Sequence, residues 1–304
     1  MVPHYLALTI DTDPDGLNSP TVNRANLEWD GLHFAMEHFH NALADYPLTW
    51  YVRADGQLEH TYGSARYLLD THADFWSQAI KRGDELGWHP HLYTIPDTGQ
   101  PEIITDSQRA VASLKHIWQQ IQDVPFDLKS FRMGEGWHTS ETLNLIEALG
   151  FRIDSTAIPN RDDSASAHPR NWSGAPNRPY YPDLTIPRLE GEPRPLIEIP
   201  MTTWRFQASY DKAPKLRYMN PCIHEDLWQQ ALNRWEASLT SADSYVWVLI
   251  LHPAEAMPHE QADLLYAYSL ETTQANLQAL ENCITTRGDQ FKRLTISQVE
   301  TRLR

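Results

Sequence analysis

The sequence predicts an α/β fold in which a parallel sheet is covered by helices, and it favours a barrel over an open doubly wound sheet. Short apolar runs recur along the chain, and segments with helical periodicity lie between most of them. This alternation requires crossover connections, which join parallel strands. Because α/β barrels often reach this size without dividing, we expect residues 1–304 to form one domain.

The strands are predicted from apolar segments that polar turns bound, and the helices from apolar residues that recur every three or four positions. Seven segments are predicted to be strands: Tyr5–Ile10, Leu48–Val52, Glu85–Trp88, Ser130–Arg132, Phe151–Asp154, Ile197–Pro200 and Tyr245–Leu251. Four segments are predicted to be helices: Leu32–Tyr46, Phe75–Arg82, Gln108–Ile121 and Thr139–Leu149. The tail from Phe291 to Leu303 is predicted to add a short strand and a helix.

The alternation of predicted strands and helices is interrupted between Pro159 and Pro200, where proline is frequent. Prolines stand at Pro169, Pro176, Pro179, Pro182, Pro187, Pro193 and Pro195. Proline at this density disrupts helices and central strands, so a long loop is expected. Two interpretations have equal weight: a loop that contributes to a binding site, and an insertion that only packs on the barrel surface.

Charge and cysteine content exclude several classes of partner and site. A net charge of -15 argues against nucleic acid and anionic membranes as partners. Only Cys222 and Cys283 are present, so neither a disulfide framework nor a cysteine-rich zinc site is expected. No basic leader precedes the first strand, and no apolar run reaches the ~20 residues that a membrane span requires, so we expect a cytoplasmic protein.

Ionisable residues stand where predicted strands end, which is where parallel α/β proteins build their sites. The residues at these ends are Asp11, Asp13, His89, His91, Arg132, Asp154 and His252. Asp11 and Asp13 are two positions apart and share a side of the strand, as do His89 and His91. Imidazole together with carboxylate is a usual environment for zinc or a similar divalent ion. The constellation therefore favours metal-assisted hydrolysis.

Each motif taken alone has an ordinary structural interpretation. Asp-x-Asp followed by proline and glycine is typical of a turn, and His-Pro-His is unremarkable in a chain with 14 histidines. The occurrence of both at strand ends favours a site. Trp88 and Trp137 lie beside it in sequence and are expected to stack on a sugar ring, although burial is the usual role of tryptophan.

The motifs resemble those of the polysaccharide deacetylases, carbohydrate esterase family four. Leu8-Thr9-Ile10-Asp11-Thr12-Asp13 is similar to the first motif of the family, and Gly83–His89 to the segment that leads to the metal histidines. Phe131-Arg132-Met133-Gly134 resembles the third motif, and Val248–Pro253 the last. The resemblance covers most of the chain and implies a distorted parallel (β/α) barrel with its active site at the strand C-termini.

The resemblance also implies residue roles. Asp11 would be the catalytic base, Arg132 would hold it, and Asp154 would support that arginine. Asp13 and His89 would bind a divalent metal, with zinc as the expected ion. His252 would be the general acid, and Ile250 would form a wall of the acyl pocket.

Two departures from the family pattern leave alternatives open. The second metal histidine usually follows the first by four residues, where this chain has Tyr93, while His91 follows by two. Either His91 takes that role, or fewer protein ligands bind the metal. The third motif has Gly134 and Glu135 in place of proline and an aromatic residue. We expect Tyr93 and Glu135 to contact the substrate.

The function that the resemblance implies is removal of an acetyl or formyl group from the nitrogen of an amino sugar or glycan precursor, with surface-glycan biosynthesis as the preferred setting. Alternatives are hydrolysis of another small amide and a degenerate barrel that binds sugar without catalysis. A further rival, the amidohydrolase superfamily, places His-x-His on its first strand, where this chain has a carboxylate pair. The sequence leaves the oligomeric state open.

Overall fold

The computed structural model describes residues 3–16, 27–96, 101–165, 170–238, 245–260 and 263–303. Its main sheet has eight parallel strands: β1 (Pro3–Asp11), β2 (Leu48–Arg53), β3 (Glu85–His89), β6 (Leu128–Phe131), β7 (Ile153–Asp154), β8 (Ile197–Glu198), β11 (Tyr245–Leu251) and β12 (Gln290–Arg293). Seven of them follow the order β11-β1-β2-β3-β6-β7-β8, and β12 pairs with the start of β1. The prediction of a parallel α/β sheet is confirmed.

Helices connect and cover these strands, and two small antiparallel hairpins interrupt the series. The helices are α1 (Asp30–Ala42), α2 (Gly56–Tyr62), α3 (Tyr67–Thr71), α4 (Ala73–Arg82), α5 (Ser107–Ile121), α6 (Ser140–Ala148), α7 (Glu225–Ser238), α8 (Pro253–Ala256), α9 (Leu270–Thr286) and α10 (Ile296–Leu303). The hairpins are β4 (Tyr93–Thr94) with β5 (Glu102–Ile103), and β9 (Thr203–Phe206) with β10 (Lys215–Tyr218).

The sheet is curled into a distorted barrel that the strand ladder does not close. Among the described residues, β8 and β11 are joined only by an irregular seam. There the Thr202 amide donates to the Val248 carbonyl at 3.1 Å, and the Ile250 amide donates to the Met219 carbonyl at 3.0 Å. This arrangement matches the predicted distortion of the barrel.

Alternation along the strands sorts side chains into two layers. Leu6, Leu8 and Ile10 belong to the larger core between sheet and helices. Ala7 points to the barrel interior, where it packs in a second cluster with Ile296 of α10. Because the Ile296 and Ser297 amides bond the side chains of Thr49 and Glu85 near the starts of β2 and β3, α10 closes the end of the barrel opposite the strand C-termini.

The Pro-rich segment contains no regular helix or strand before β8 in its described part, as predicted. Pro169 falls in residues 166–169, which lie outside the described residues. Trp172 and Tyr180 are almost fully buried and anchor the segment on the barrel. The Trp172 indole donates to the Gly136 carbonyl at 2.7 Å, so the segment lies against the strand C-termini.

No helix within the described residues has both the length and the apolar content needed to cross a lipid bilayer.

Candidate active site at the strand C-termini

The polar strand ends converge on one cavity of about 400 Å³. Residues that line it come from β1, β3, β11, the segments that follow β6 and β7, and the Pro-rich segment. They include Asp11, Asp13, His89, His91, Tyr93, Glu135, Arg161, Arg170, Tyr218, Ile250 and His252. The structure therefore brings together two of the carboxylates that the sequence singled out, Asp11 and Asp13, with the three histidines and Ile250.

Three of these side chains, Asp13, His89 and His91, form a group that we call the cavity cluster. Their ligand atoms all lie within 4.8 Å of one another. His91 Nε2 is 2.9 Å from Asp13 Oδ1 and 3.2 Å from His89 Nε2. Two ring nitrogens and one carboxylate oxygen thus point at a common centre. This donor set suits a divalent ion such as zinc, which in catalytic sites takes three protein ligands.

Neighbouring groups orient both rings of the cavity cluster. The Nδ1 atom of His89 contacts the Arg132 carbonyl at 2.8 Å, which directs its Nε2 into the cavity. The Nδ1 atom of His91 lies 3.4 Å from the Glu135 carboxylate. Such outer contacts are the usual way in which proteins fix the tautomer and direction of a metal-binding imidazole.

Gly134 explains how His91 fits two residues after His89. A Cβ atom at position 134 would overlap the His91 ring, so only glycine leaves room for it. Tyr93 stacks on the other side, with ring centroids 5.7 Å apart and planes 12° apart. His91, not Tyr93, therefore supplies the third donor atom of the cavity cluster.

Charges in and beside the cavity cluster shift the pKa of Asp13, His91 and the neighbouring Glu135. Burial opposes ionisation of Asp13, but His91 and His89 beside it hold its pKa well below the ordinary value. Burial also opposes protonation of His91, yet Asp13 and Glu135 raise its pKa to about 9. Burial is likewise overcome at Glu135, where hydrogen bonding and attraction from His91 lower the pKa to about 2.

Asp11 is held separately by Arg132. The Arg132 Nη1 atom donates to Asp11 Oδ1 at 2.6 Å and to Thr9 Oγ1 at 2.8 Å. Its guanidinium lies 4.0 Å above the Tyr51 ring. Gly87 leaves space for that ring, because a Cβ there would come within 2.7 Å of Tyr51. Asp11 is thereby fixed at the cavity floor.

The expectation that Asp154 supports Arg132 is corrected by the structure. The Arg132 Nε atom donates to the Ser155 carbonyl at 2.9 Å, and Nη2 donates to Ser155 Oγ at 3.0 Å. Asp154 instead lies 3.1 Å from His138 and hydrogen-bonds Glu198. Side chains alternate along an extended chain, so Asp154 and Ser155 point to different sides. We call His138, Asp154 and Glu198 the closed cluster, because none of them lines the cavity.

His252 lies across the cavity, and its partner Glu255 was not foreseen. Its Nδ1 contacts Glu255 Oε1 at 3.0 Å, while its Nε2 lies 3.6 Å from Asp13 Oδ2. Asn220 donates to the other Glu255 oxygen at 2.6 Å. Burial favours the neutral ring, but Glu255, Asp13 and Asp11 raise the His252 pKa to about 10. The available signal was a glutamate three residues on, within the first turn of α8.

The predicted aromatic contacts are met only in part. Tyr93 lines the cavity, and its hydroxyl donates to Glu135. Trp88 does not line the cavity, so the expectation that it stacks on a sugar ring is wrong. Its fully buried ring packs on Phe131, and its indole donates to the Ala54 carbonyl at 2.8 Å. Trp137 lines a neighbouring cleft of about 370 Å³ rather than the cavity.

One side of the cavity is apolar. Ile250 lies there with Ile158 and Met201, and these three buried residues pack in one cluster. Sequence reasoning singled out Ile250 but neither of its neighbours. The other cavity residues that it did not predict as site residues are Met133, Gly136, Arg161, Arg170 and Tyr218.

No protein-family profile and no curated protein matches this chain. Several solved structures are similar to it. A protein from Mycobacterium smegmatis assigned as a polysaccharide deacetylase has 16% identity and a TM-score of 0.51, over 98% of this chain and 89% of that one. One from Bordetella bronchiseptica, assigned as a deacetylase involved in O-antigen biosynthesis, has 14% identity, coverage of 91% and 79%, and a TM-score of 0.39.

A pseudoenzyme of carbohydrate esterase family four from Bacillus anthracis has 10% identity, coverage of 97% and 65%, and a TM-score of 0.42. The likeness to the mycobacterial structure extends over nearly the whole of this chain. At this level of identity it establishes the fold: the chain has the fold of the polysaccharide deacetylases.

Proposed function

We propose that the protein is a metal-dependent hydrolase that removes an acetyl or formyl group from the nitrogen of an amino sugar or glycan precursor. The observation that carries the proposal is the convergence of the cavity cluster, the Asp11–Arg132 pair and the His252–Glu255 pair on one cavity with an apolar side. Each pair supplies one proton-transfer group, and the cluster supplies a metal site.

Asp13, His89 and His91 would hold the ion, for which zinc is our expectation from the donor set. When bound, a divalent ion supplies Lewis-acid polarisation of the acyl carbonyl and lowers the pKa of water. Arg132 and Arg53 keep positive charge near the two aspartates, at 2.6 Å from Asp11 and 3.6 Å from Asp13. The ionised form of Asp13 is stabilised in this way, and its pKa lies well below the ordinary value.

The residues of the chain account for both proton transfers. Asp11 takes a proton from the attacking water, whose oxygen adds to the acyl carbon. The C–N bond then breaks, and His252 donates its proton to the leaving nitrogen, which yields a free carboxylic acid and an amine. Glu255 at 3.0 Å orients the ring and favours the protonated form that this role requires.

The apolar side formed by Ile158, Met201 and Ile250 provides a compartment for the methyl group or hydrogen of the acyl group. Tyr93 and Glu135 form part of the polar side and are proposed to contact the sugar. A small cytoplasmic precursor remains our expected substrate. A non-catalytic sugar-binding protein would have no use for an Asp11–Arg132 pair and a His252–Glu255 pair in one cavity.

Elemental analysis of the purified protein tests the proposal most directly. We expect near-stoichiometric divalent metal, lost in both His89→Ala and His91→Ala. His116→Ala is the matched control, since this exposed surface histidine pairs only with Glu59 and Gln120 among the described contacts. Metal-loaded protein should then release acetate or formate from N-acylated amino sugars. Failure to bind metal after reconstitution would instead favour the sugar-binding alternative.

A further inference from the structure

The mouth of the cavity carries two arginines from the Pro-rich segment, Arg161 and Arg170. Both side chains are 21% exposed, whereas those of His89 and His91 on the floor are 3% and 4% exposed. The two arginine side chains therefore lie nearer to solvent than the cavity cluster.

These two positive charges share one negative partner. Asp163 Oδ2 lies 2.9 Å from Arg170 Nη2 and 3.5 Å from Arg161 Nη1. The described residues provide no other ion pair for either arginine. Their Nε atoms are both buried without a hydrogen-bond partner in the described part of the chain. Burial and the neighbouring Arg170 lower the pKa of Arg161, as expected for a positive charge that is incompletely compensated.

The carboxylates that line the cavity, in contrast, have close positive or hydrogen-bonding partners of their own. Asp11 pairs with Arg132, and Asp13 lies near Arg53 and His91. Glu135 accepts from Tyr93 and lies beside His91. Arg161 and Arg170, with one shared carboxylate between them, thus carry the incompletely compensated positive charge of the cavity, in a chain whose net charge is -15.

The two arginines flank the region where the acyl group would react. Arg170 Nη1 donates to the Glu135 carbonyl at 2.9 Å, which places it on the His91 side. Arg161 Nη2 contacts the Leu216 carbonyl at 3.4 Å, and this arginine interacts electrostatically with Tyr218. The Tyr218 ring is 6.3 Å from that of His252, so Arg161 lies toward the general acid.

We infer, on the basis of the proposed function, that the acylated substrate carries an anionic group, a carboxylate or a phosphate, which Arg161 and Arg170 bind. Guanidinium groups match the oxygens of both anions, and charge-assisted hydrogen bonds are stronger than neutral ones. The anion would supply the second negative partner that the arginine pair lacks. The Pro-rich segment would then select the substrate as well as pack on the barrel.

Calorimetric titration of chelator-treated full-length protein tests this inference without requiring turnover. The probes are N-acetylglucosamine, its 1-phosphate and N-acetylmuramic acid, which differ in anionic group. Arg161→Gln and Arg170→Gln are compared with wild type. The matched control is Arg178→Gln, an arginine of the same segment that is 62% exposed and pairs with Glu190 outside the cavity. The ratio of anionic to neutral affinity is measured within each variant, so partial misfolding does not affect it.

Wild type and Arg178→Gln should bind at least one anionic probe about tenfold or more tightly than the neutral one, and the ratio should fall toward unity in both cavity variants. Preference for the 1-phosphate would identify a phosphorylated precursor, and preference for N-acetylmuramic acid an acidic sugar. The inference would be overturned if charged and neutral probes bind equally, if none of the three probes binds detectably, or if the preference for the anionic probe survives both substitutions. Anion preference without hydrolysis by metal-loaded protein would refute the proposed function alone.

Discussion

The cavity cluster and the closed cluster contain the same kinds of residue, histidine and buried carboxylate, yet their geometries differ. In the closed cluster the two ring nitrogens of His138 have separate partners, Asp154 at 3.1 Å and Thr142 at 3.0 Å. In the cavity cluster the Nε2 atoms of His89 and His91 face each other at 3.2 Å and share one carboxylate.

This difference is the one expected between a structural network and a binding site. Polar groups buried for stability distribute their hydrogen bonds so that each has its own partner. Donor atoms that converge on one point lack separate hydrogen-bond partners, and they are fully compensated only when an ion or ligand occupies the centre. We therefore expect changes in the cavity region to affect metal binding or turnover, and changes in the closed cluster to affect stability.

The largest expected effect is on turnover in Asp11→Asn. Loss of the general base should lower kcat/KM about a thousandfold, within the range for acid–base catalysis. Asparagine keeps the shape and still accepts a hydrogen bond from Arg132, so metal content per folded molecule should stay close to wild type. Loss of the negative partner of the buried Arg132 should lower the unfolding free energy. Deacylation kinetics and elemental analysis on the same preparation measure both. Near-normal turnover would show that Asp11 is not the base.

His138→Ala should produce the opposite pattern. Removing this ring leaves the fully buried Asp154 carboxylate without the His138 nitrogen that lies 3.1 Å from it, which should cost about 3 kcal/mol of unfolding free energy. Metal content per folded molecule should be unchanged, because His138 does not line the cavity. Urea unfolding and elemental analysis make the comparison. Loss of metal with normal stability would contradict the division between the two clusters.

Glu255→Gln sharpens the comparison within the active-site region. The neutral amide can still bond Asn220 but no longer stabilises a protonated His252, so kcat/KM should fall about a hundredfold. The metal ligands do not contact Glu255, so metal content should be retained. Asn220→Ala is a useful companion, since it loosens Glu255 without removing its charge and should have a smaller effect.

The smallest effect is the pH dependence contributed by Glu198. Burial and the adjacent Asp154 raise its pKa well above the ordinary value. The folded protein therefore holds a proton there that the unfolded chain releases above about pH 4.5, so this group lowers stability as pH rises. Asp154 has a lowered pKa and contributes only at more acidic pH.

Glu198→Gln imitates the protonated form and keeps the acceptor for the Ala157 amide. Between pH 5 and 8 the unfolding free energy of Glu198→Gln should decline less than that of wild type. The difference should be about 1 kcal/mol for each pH unit over which Glu198 is protonated in the folded protein and ionised in the unfolded chain. Urea unfolding at several pH values measures the two slopes. Parallel slopes would mean that Glu198 is ionised in the folded protein.

The strand ends were predictable because hydrophobic runs and their polar termini are local features. Asp11, His89 and Arg132 follow apolar runs directly, and parallel strands bring such ends to one edge. Trp88 was misplaced although the signal existed: it precedes His89 and must face the opposite side of β3. Arg53 was missed because the predicted strand stopped one residue early.

Other features depend on contacts that no local pattern encodes. The partnership of Arg132 with Ser155 rather than Asp154 follows from which way the chain turns after β7. The arginines at the cavity mouth come from a segment without periodicity, so only its packing through Trp172 places them there. Glu255 could have been predicted from the sequence, because its spacing from His252 fits a single helical turn.

The seam of the barrel has a consequence for how this protein could change its chemistry. Met201 and Ile250 stand on the two sides of the place where single hydrogen bonds replace a strand ladder. Exchange of a side chain there alters the size of the acyl compartment without breaking a register that other strands share. Under the proposed function, selectivity for the acyl group would be set where the architecture tolerates variation. Evolution could then adjust it while Asp11 and His89 on the continuous strands stay fixed.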